Sequence, residues 1–331
     1  MTTIGVLGAG AWGTALAIHL ARSGHDVTLW AHRADHVAEM AQARCNRRYL
    51  PQAPFPETLK VSAELNDAVL AQEGVLIAVP SAAFAALLQR LKPLPRPPYL
   101  SWATKGFEPL SRRMLHQVAE TVLDTRSYAV ISGPTFAHEV AQGLPTALVS
   151  ASFEPEVAQW WAQVLHHDLL RTYTQSDVIG VEVGGAYKNV MAIAAGVSDG
   201  LGMGANARAA LIARGLAEMI RFGTALGGEK DTFMGLTGVG DLVLTCTDDQ
   251  SRNRRFGKLL ARSPDVAAAQ RQIGQVVEGA RAVDTIRAIA EDKQLELPIA
   301  EQVYAVLQGQ CPPLAAVRAL FERDLKAEKV I

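Results

Sequence analysis

The sequence predicts an α/β N-terminal domain of the Rossmann type, with a mostly parallel sheet, followed by an all-α C-terminal domain. Up to about residue 175, short apolar runs alternate with alanine- and leucine-rich stretches of helical periodicity. Beyond that point the strand signals stop and only helical patterns follow. Strands that alternate with helices are typical of a parallel sheet covered on both faces. We therefore place the two domains at residues 1–178 and 179–331.

The composition excludes several classes of protein. The chain has 331 residues, of which 49% are hydrophobic and 20% charged, so it can bury the cores of two domains. Its formal net charge of −1 argues against nucleic acid or a membrane surface as partner, because both attract basic proteins. There is no apolar run of the roughly 18 residues that a membrane helix needs, no signal-peptide pattern and no zinc-ligand spacing. We expect a cytoplasmic protein with a small-molecule partner and no metal.

A glycine-rich turn follows the first predicted strand. Strand, turn, helix and strand are predicted at residues 4–7, 8–13, 14–21 and 26–31. In this context Gly8 permits a tight turn, Gly10 lets a pyrophosphate approach the backbone, and Gly13 lets the helix pack on the strand. The N–H groups at the start of the helix would hold the phosphates. The pattern predicts a dinucleotide ligand, and the alternative is a glycine turn without one.

The residues after the second strand bear on the choice of cofactor. A site that selects NAD usually carries an acidic residue at the end of this strand, where it binds the 2′-hydroxyl of the ribose. Here the strand is followed by His32 and Arg33, and Asp35 comes slightly late. These two basic residues could meet a 2′-phosphate, which favours acceptance of NADPH. A solvated basic loop is the alternative.

The rest of the first domain continues the alternation. Strands are predicted at 75–79, 99–103, 128–131, 146–151 and 169–173, and helices at 64–70, 81–91, 111–123 and 154–166. Ligands bind at the carboxyl ends of the strands in such sheets. Lys105 and the segment from Gly133 to Thr135 follow two of these strand ends. Lys105 could equally be a surface lysine, and Thr135 could cap a helix.

In the second domain, helices are predicted at 178–198, 205–226, 253–261, 279–290, 300–308 and 312–321. The first contains Gly184 and Gly185, which cost about 1 kcal/mol each relative to alanine inside a helix. The face that they share with Lys188 carries little side-chain volume and predicts a hollow beside the lysine. A lysine above a hollow can have a lowered pKa and act as an acid or base. The alternative is a lysine that extends along the surface to reach water.

Two further segments carry charge at predicted helix starts. Asp241 stands between a glycine turn and an apolar helix start, where it could cap the helix or orient the lysine or a substrate hydroxyl. Ser251 is predicted to cap a helix whose first turn holds Arg252 and Asn253. Because cations in a first turn oppose the helix dipole, a bound phosphate would relieve the conflict. A solvated basic face is the alternative. Cys246 is expected to be a buried structural thiol.

These motifs resemble those of the bacterial NAD(P)-dependent glycerol-3-phosphate dehydrogenases. The matching segments are residues 8–17, 102–106, 131–137, 184–190, 202–211, 240–246, 251–257 and 276–279. The lysine helix, the Ser-Arg-Asn run and the Val-Val-Glu-Gly segment, in that order, are the most specific, and the segments span nearly the whole chain. Ala11 stands where many relatives have serine, so only a backbone contact is expected there.

The resemblance implies reversible hydride transfer between NADH or NADPH and dihydroxyacetone phosphate, which gives sn-glycerol 3-phosphate for glycerophospholipid synthesis. It makes Lys188 the catalytic proton donor and acceptor. The substrate contacts that it implies are Lys105, Gly133, Thr135, Lys188, Asp241, Ser251, Arg252 and Asn253. The residues of the glycine turn and the basic pair His32 and Arg33 are counted among the cofactor contacts. The full set is Gly8, Gly10, Ala11, Trp12, Gly13, His32, Arg33, Lys105, Ala137, Arg252, Val276 and Glu278. A homodimer is left open.

Two other functions are compatible with the same architecture. One is a Rossmann-plus-helical dehydrogenase that acts on a 3-hydroxy acid or an acyl thioester, and the arginine run at Arg252 argues against it. The other is a non-catalytic protein that senses NADPH, and Lys188 in its predicted hollow argues against that.

Overall fold

The computed structural model describes residues 1–263 and 265–322, which divide into two units. The first unit comprises Met1–Glu108 and Arg113–Val178. The second comprises Pro109–Arg112 and the chain from Ile179 onward. Between residues 108 and 113 the chain therefore passes into the second unit and returns, which the sequence analysis does not predict.

The first unit is built on a sheet of eight strands. The strands of the chain are β1 Thr3–Leu7, β2 Asp26–Trp30, β3 Cys45–Asn46, β4 Leu50–Pro54, β5 Leu59–Ser62, β6 Gly74–Ile77, β7 Tyr99–Trp102, β8 Tyr128–Ser132, β9 Thr146–Ala151 and β10 Leu170–Gln175. The sheet order is β10-β9-β8-β7-β6-β1-β2-β5, and β3 and β4 form a separate hairpin. All neighbours in the sheet are parallel except β8 and β9. This mostly parallel sheet confirms the predicted fold class.

The helices of the first unit are α1 Ala11–Arg22, α2 Ala34–Ala43, α3 Ser81–Leu91, α4 Leu115–Leu123, α5 Ala137–Gln142 and α6 Pro155–Leu165. Apolar residues of α1, such as Leu16 and Ile18, are fully buried with Ile4 and Val6 of β1. A strand buried on both faces has a continuous apolar sequence, which is typical of parallel sheets. This packing fixes the start of α1 at the carboxyl end of β1.

Two helices predicted in this unit are longer than the helical segments that the structure shows. The segment 64–70 forms only a short 3-10 turn, Asn66–Ala68. There the Ser62 hydroxyl bonds to the Asp67 carboxylate at 2.6 Å, and such local side-chain bonds compete with a helix. The helix predicted from 111 begins only at Leu115, because Arg112 has a φ of +59°, which a right-handed helix cannot contain. Helix α2, the β3–β4 hairpin and β5 are not predicted from the sequence patterns.

In the described residues of the second unit, the secondary-structure elements are all helices. Its helices are α7 Val178–Gly200, α8 Gly204–Ala225, α9 Lys230–Phe233, α10 Asp241–Thr247, α11 Arg252–Arg262, α12 Val266–Ile273, α13 Glu278–Asp292, α14 Pro298–Leu307 and α15 Pro313–Phe321. All six helices predicted in this half are present. A π-helical turn, Leu236–Gly240, leads directly into α10. Within the described ranges, no helix has the length and apolar character needed to cross a membrane.

Glycines bring the backbones of α7 and α11 into contact. A Cβ added to Gly196 of α7 would lie 2.0 Å from the Arg254 carbonyl oxygen. A Cβ added to Gly257 of α11 would lie 2.2 Å from the Ile193 carbonyl oxygen. No side chain fits at either position, so the two helices cross at backbone distance. This crossing holds the helix that carries Lys188 against the helix that carries Arg252.

Candidate active site

The glycine turn after β1 has one open side. Gly8 has a φ of +121°, and a Cβ on Gly13 would lie 1.9 Å from the Gly8 carbonyl oxygen. The fold itself therefore requires glycine at these two positions. By contrast, a Cβ on Gly10 would have no atom within 4 Å. Packing within the chain does not explain Gly10, whereas close approach of a ligand to the backbone does.

The start of α1 fits an anionic ligand. Its N-cap residue, Gly10, makes no side-chain cap, and the first turn contains no acidic residue. The first N–H groups of a helix need acceptors from outside the helix, and a pyrophosphate can supply them. In the described part of the chain, the buried Nε1 of Trp12 also lacks a hydrogen-bond partner. Unfilled donors beside an open glycine fit a dinucleotide.

The end of β2 carries an ion pair as well as basic residues. Arg33 is the N-cap residue of α2, and its Nε and Nη2 donate to the Asp35 carboxylate at 3.0 and 2.6 Å. Hydrogen bonding to Arg33 holds the pKa of Asp35 well below its usual range. His32 is exposed beside them. The basic loop is therefore partly neutralised by its own aspartate.

The ends of β7 and β8 bring Lys105 and Gly133 together. Lys105 is half-buried, and its Nζ donates to the Gly133 carbonyl oxygen at 3.3 Å. Gly133 has a φ of +148°, and a Cβ there would lie 2.8 Å from the Ala147 carbonyl oxygen. Lys105 is thus not a plain surface lysine, because it is fixed at the edge of the sheet where ligands bind.

The helix cap predicted at Thr135 is wrong. Helix α5 begins at Ala137, and its N-cap residue is Phe136, which makes no side-chain cap. The Thr135 hydroxyl instead donates to the Gly133 carbonyl oxygen at 3.4 Å. Thr135 therefore stands in the turn with Gly133 and Lys105 rather than on the helix.

Lys188 lies in a buried polar cluster within the second unit. It is only 6% exposed, and Asp241 is fully buried. The lysine Nζ donates to Asp241 Oδ1 at 2.5 Å and to the Thr245 hydroxyl at 3.0 Å. The carboxylate favours the ammonium form of the lysine. The surface-lysine alternative is therefore wrong, and Asp241 is not a helix cap, because Gly240 holds that position.

The hollow predicted beside Lys188 is filled at Gly184. A Cβ at this glycine would lie 2.3 Å from the Thr237 carbonyl oxygen, which belongs to the π-helical turn. The missing side chain thus makes room for backbone and not for a ligand. Because the turn leads directly into α10, this contact brings Asp241 within reach of Lys188. Periodicity alone could not show which atoms would fill the gap.

The Ser-Arg-Asn run begins α11. Ser251 caps this helix as predicted, and its hydroxyl accepts from the Arg254 backbone N–H at 3.2 Å. Arg252 is exposed, and its Nη1 donates to Gln275 Oε1 at 3.0 Å. Surrounding protein atoms lower the pKa of Arg252, and the Glu278 carboxylate opposes that shift. The sequence therefore places one anchored guanidinium in the first turn of a helix, where anions bind.

Asn253 uses its side chain within the protein. It is buried, its Nδ2 donates to Asn189 Oδ1 at 2.9 Å, and its Oδ1 accepts from the Gly279 N–H at 3.0 Å. It thus ties α11 to α7 and to the start of α13. One amide N–H and one lone pair stay available for a ligand. A direct substrate contact of Asn253 stays a prediction.

Three residues of the candidate site are not predicted from the sequence patterns: Thr245, Asn189 and Gln275. Thr245 follows Asp241 by four residues on one helix, so the spacing could have indicated a shared face. Eight of the predicted cofactor residues are half-buried: Gly8, Gly10, Ala11, Trp12, Lys105, Ala137, Val276 and Glu278. Cys246 is fully buried, and burial raises the pKa of its thiol to about 12, which disfavours the reactive thiolate. No group of metal-ligating side chains occurs among the residues described.

The two units taken in sequence limit the class of the protein. A parallel sheet whose opening turn fits a dinucleotide, followed in sequence by a helical unit with a buried lysine, is the architecture of a Rossmann-type dehydrogenase. Two family models match: NAD-dependent glycerol-3-phosphate dehydrogenase N-terminus over residues 3–158, and NAD-dependent glycerol-3-phosphate dehydrogenase C-terminus over residues 177–318. The chain belongs to the NAD-dependent glycerol-3-phosphate dehydrogenase family.

Individual relatives cover almost the entire chain. Glycerol-3-phosphate dehydrogenase [NAD(P)+] of Hydrogenovibrio crunogenus is 55% identical over an aligned region that covers 98% of this chain and 96% of that protein. The protein of the same name from Halorhodospira halophila is 51% identical and covers 99% of this chain and 98% of its own. The crystal structure of glycerol-3-phosphate dehydrogenase from Coxiella burnetii matches with a TM-score of 0.94 and 47% identity, covering 97% of this chain and 99% of that one.

Proposed function

We propose that this protein catalyses the reversible reduction of dihydroxyacetone phosphate to sn-glycerol 3-phosphate with NADH or NADPH, and so feeds glycerophospholipid synthesis. The observation that carries the proposal is the buried Lys188, held at 2.5 Å from Asp241 in a chain of this family. The near-neutral composition supports a cytoplasmic location and a small molecule as the partner.

The first unit binds the cofactor. The open side of Gly10 and the uncapped start of α1 receive the pyrophosphate, and Trp12 offers an unfilled donor nearby. Lys105, fixed by the Gly133 carbonyl group, adds a positive charge at the sheet edge. When bound, the reduced nicotinamide supplies the hydride. Ala11 and Ala137 contribute no polar side chain, so their contacts are with backbone and methyl groups.

Lys188 supplies the proton. As the carbonyl carbon of the ketone gains a C–H bond, the C=O π bond breaks and its electron pair moves to the oxygen. The ammonium group of Lys188 stabilises that oxygen and transfers a proton from Nζ to it, which gives the hydroxyl of the product. Asp241 and Thr245 hold the lysine nitrogen in position throughout. In the reverse direction the neutral amine accepts the proton.

Arg252 binds the substrate phosphate. A guanidinium presents two parallel N–H groups to a phosphate, and the start of α11 adds backbone donors and a favourable dipole. The bond to Gln275 restricts the rotamers of Arg252 before the substrate arrives. Ser251 and Asn253 maintain the helix start, Ser251 through its cap and Asn253 through its bond to Gly279.

The activity is tested by following NADPH oxidation through the loss of the absorption band of the reduced nicotinamide. We expect turnover with dihydroxyacetone phosphate and little with dihydroxyacetone, the matched substrate without the phosphate. Turnover only with a 3-keto acid or its thioester would indicate the other type of dehydrogenase. NADPH binding without turnover of any ketone would indicate a sensor.

A further inference from the structure

We propose that Arg48, in the β3–β4 hairpin, binds the 2′-phosphate of NADPH together with Arg33, and that Asp35 between them sets the preference between NADPH and NADH. The proposal rests on the use of these cofactors in the proposed function. It adds two residues that the sequence analysis does not assign to the site.

One carboxylate oxygen bridges the two arginines. Asp35 Oδ2 lies 2.6 Å from Arg33 Nη2 and 3.3 Å from Arg48 Nη2. The two guanidinium groups therefore converge on a single anionic oxygen. The side chains of Arg33, Asp35 and Arg48 are 55%, 54% and 36% exposed, so a ligand can reach all three. A phosphate has three oxygens and more charge than a carboxylate, and it suits two guanidinium forks better.

This pair lies at the position where Rossmann folds distinguish the two cofactors. Arg33 follows the end of β2 at Trp30 by three residues, and the ribose of the adenosine lies at the end of that strand. In a site selective for NAD an acidic side chain accepts from the ribose hydroxyls there. Here the corresponding acid, Asp35, is already bound by two arginines. It therefore competes with an incoming phosphate for both cations.

The hairpin is anchored to the glycine turn. Asn46, fully buried in β3, donates from Nδ2 to the Ala9 carbonyl oxygen at 2.9 Å and to the Thr14 hydroxyl at 2.8 Å. Ala9 lies inside the turn that is expected to receive the pyrophosphate. Arg48 follows Asn46 by two residues, so its position is fixed relative to the cofactor. A surface arginine on an unattached loop would have no such fixed position.

Glu39 orients the guanidinium of Arg48. Its Oε2 accepts from Arg48 Nε at 2.9 Å, which directs the terminal nitrogens toward Asp35. The ion pairs in this cluster are all partly exposed, and exposed pairs contribute little to stability. Replacing the Asp35 carboxylate with a phosphate as the partner of the two arginines therefore costs the folded protein little stability.

Calorimetric titration with adenosine 2′,5′-bisphosphate and with AMP tests the assignment without catalysis. We expect the wild type to bind the bisphosphate more tightly than AMP. Arg48→Ala should weaken bisphosphate binding about tenfold, the effect of one charge-assisted hydrogen bond, and leave AMP binding unchanged. Asp35→Asn should tighten bisphosphate binding. Arg47→Ala is the matched control, since it removes an exposed arginine one residue away and should change neither affinity.

Three results would overturn the proposal: no bisphosphate preference in the wild type, equal losses for both ligands in Arg48→Ala, or the same bisphosphate loss in Arg47→Ala. NADH-dependent reduction of dihydroxyacetone phosphate is measured in parallel and should be unaltered in the control variant Arg47→Ala. If the wild type reduced no ketone but bound the bisphosphate as expected, the proposed function would fail and the assignment of Arg48 would stand.

Discussion

At the scale of single residues, the Lys188–Asp241 pair combines stability with chemistry. Both groups are withdrawn from water, and each makes polar contacts with the other and with Thr245. Removing one partner of a buried ion pair leaves an uncompensated charge, which typically costs about 3–5 kcal/mol. The arrangement holds the lysine nitrogen in a fixed place at the expense of desolvating it.

Asp241→Asn tests whether the carboxylate maintains the charge of the lysine. The amide has nearly the same shape but no charge, so the ammonium loses its electrostatic stabilisation. We expect the rate of ketone reduction to fall off at lower pH than in the wild type, as measured by kcat/KM against pH. Thr245→Val removes a hydrogen bond and no charge, so its profile should keep the wild-type position. Coincident profiles for Asp241→Asn and the wild type would contradict the role of the pair.

Arg252→Lys tests the phosphate contact. Lysine keeps the charge and loses the planar pair of N–H groups, as well as the bond to Gln275. We expect the KM for dihydroxyacetone phosphate to rise about tenfold or more, with a smaller change in kcat. An unchanged KM would remove Arg252 from the anion site. Dihydroxyacetone serves as the control substrate, because its slow turnover should not respond to the substitution.

At the scale of secondary-structure elements, Gly184 determines how the π-helical turn packs on α7. Alanine normally stabilises a helix by about 1 kcal/mol relative to glycine. Here the added Cβ would lie 2.3 Å from the Thr237 carbonyl oxygen, so the turn would have to move. We expect Gly184→Ala to lower the free energy of unfolding by about 1–3 kcal/mol and to reduce kcat. Denaturant unfolding and turnover measure the two effects, and a stabilised, fully active variant would contradict the packing argument.

Glu218 joins three helices of the second unit. From α8 its carboxylate accepts from the Ile299 and Ala300 N–H groups, at 2.7 and 3.2 Å, and from the Tyr187 hydroxyl at 3.1 Å. Tyr187 precedes Lys188 on α7, and the two amides begin α14. This side chain therefore links α8 and α14 to α7, the helix that carries Lys188.

Burial raises the pKa of Glu218 to about 7 from an ordinary 4.5. Between these two values the folded protein binds more protons than the unfolded chain, so its stability falls as the pH rises. We expect the contribution of Glu218 to the free energy of unfolding to decrease as the pH rises through this window, by an amount on the order of 3 kcal/mol. Urea unfolding of the wild type and Glu218→Gln at pH 5 and pH 8 measures it. The difference in unfolding free energy between the two proteins should change with pH, and a constant difference would contradict the shifted pKa.

At the scale of the whole molecule, sequence patterns predict the fold class because it depends on periodicity over many residues. Periodicity predicts the six helices of the second unit and the mostly parallel sheet of the first unit. Periodicity does not predict the hairpin Cys45–Pro54, because this segment is short and polar. The hydrogen bond that anchors it, from Asn46 to Ala9, joins residues that are 37 positions apart in the sequence. Periodicity does not predict what fills the gap at Gly184 either, because its occupant comes from Thr237. Patterns identify a candidate lysine, whereas long-range contacts decide what surrounds it.

Cofactor binding should stabilise the folded chain as a whole. At a concentration 100 times its Kd, NADPH is expected to add about 2.7 kcal/mol to the free energy of unfolding. Gly10→Ala separates this effect from folding, because the new Cβ meets no atom of the chain within 4 Å. Without ligand, the variant should have the Tm of the wild type. NADPH should raise the Tm of the variant by less than it raises that of the wild type. A full NADPH-dependent rise in Tm would show that the ligand does not approach Gly10.

The most direct measurement for the central claim is the turnover of Lys188→Ala alongside its affinity for NADPH. If Lys188 delivers the proton, kcat for dihydroxyacetone phosphate reduction should fall by at least about 10²-fold, the usual contribution of general acid–base catalysis. The Kd for NADPH, measured by fluorescence titration, should stay within twofold of the wild type. Turnover close to that of the wild type in a variant that still binds NADPH would contradict the mechanism.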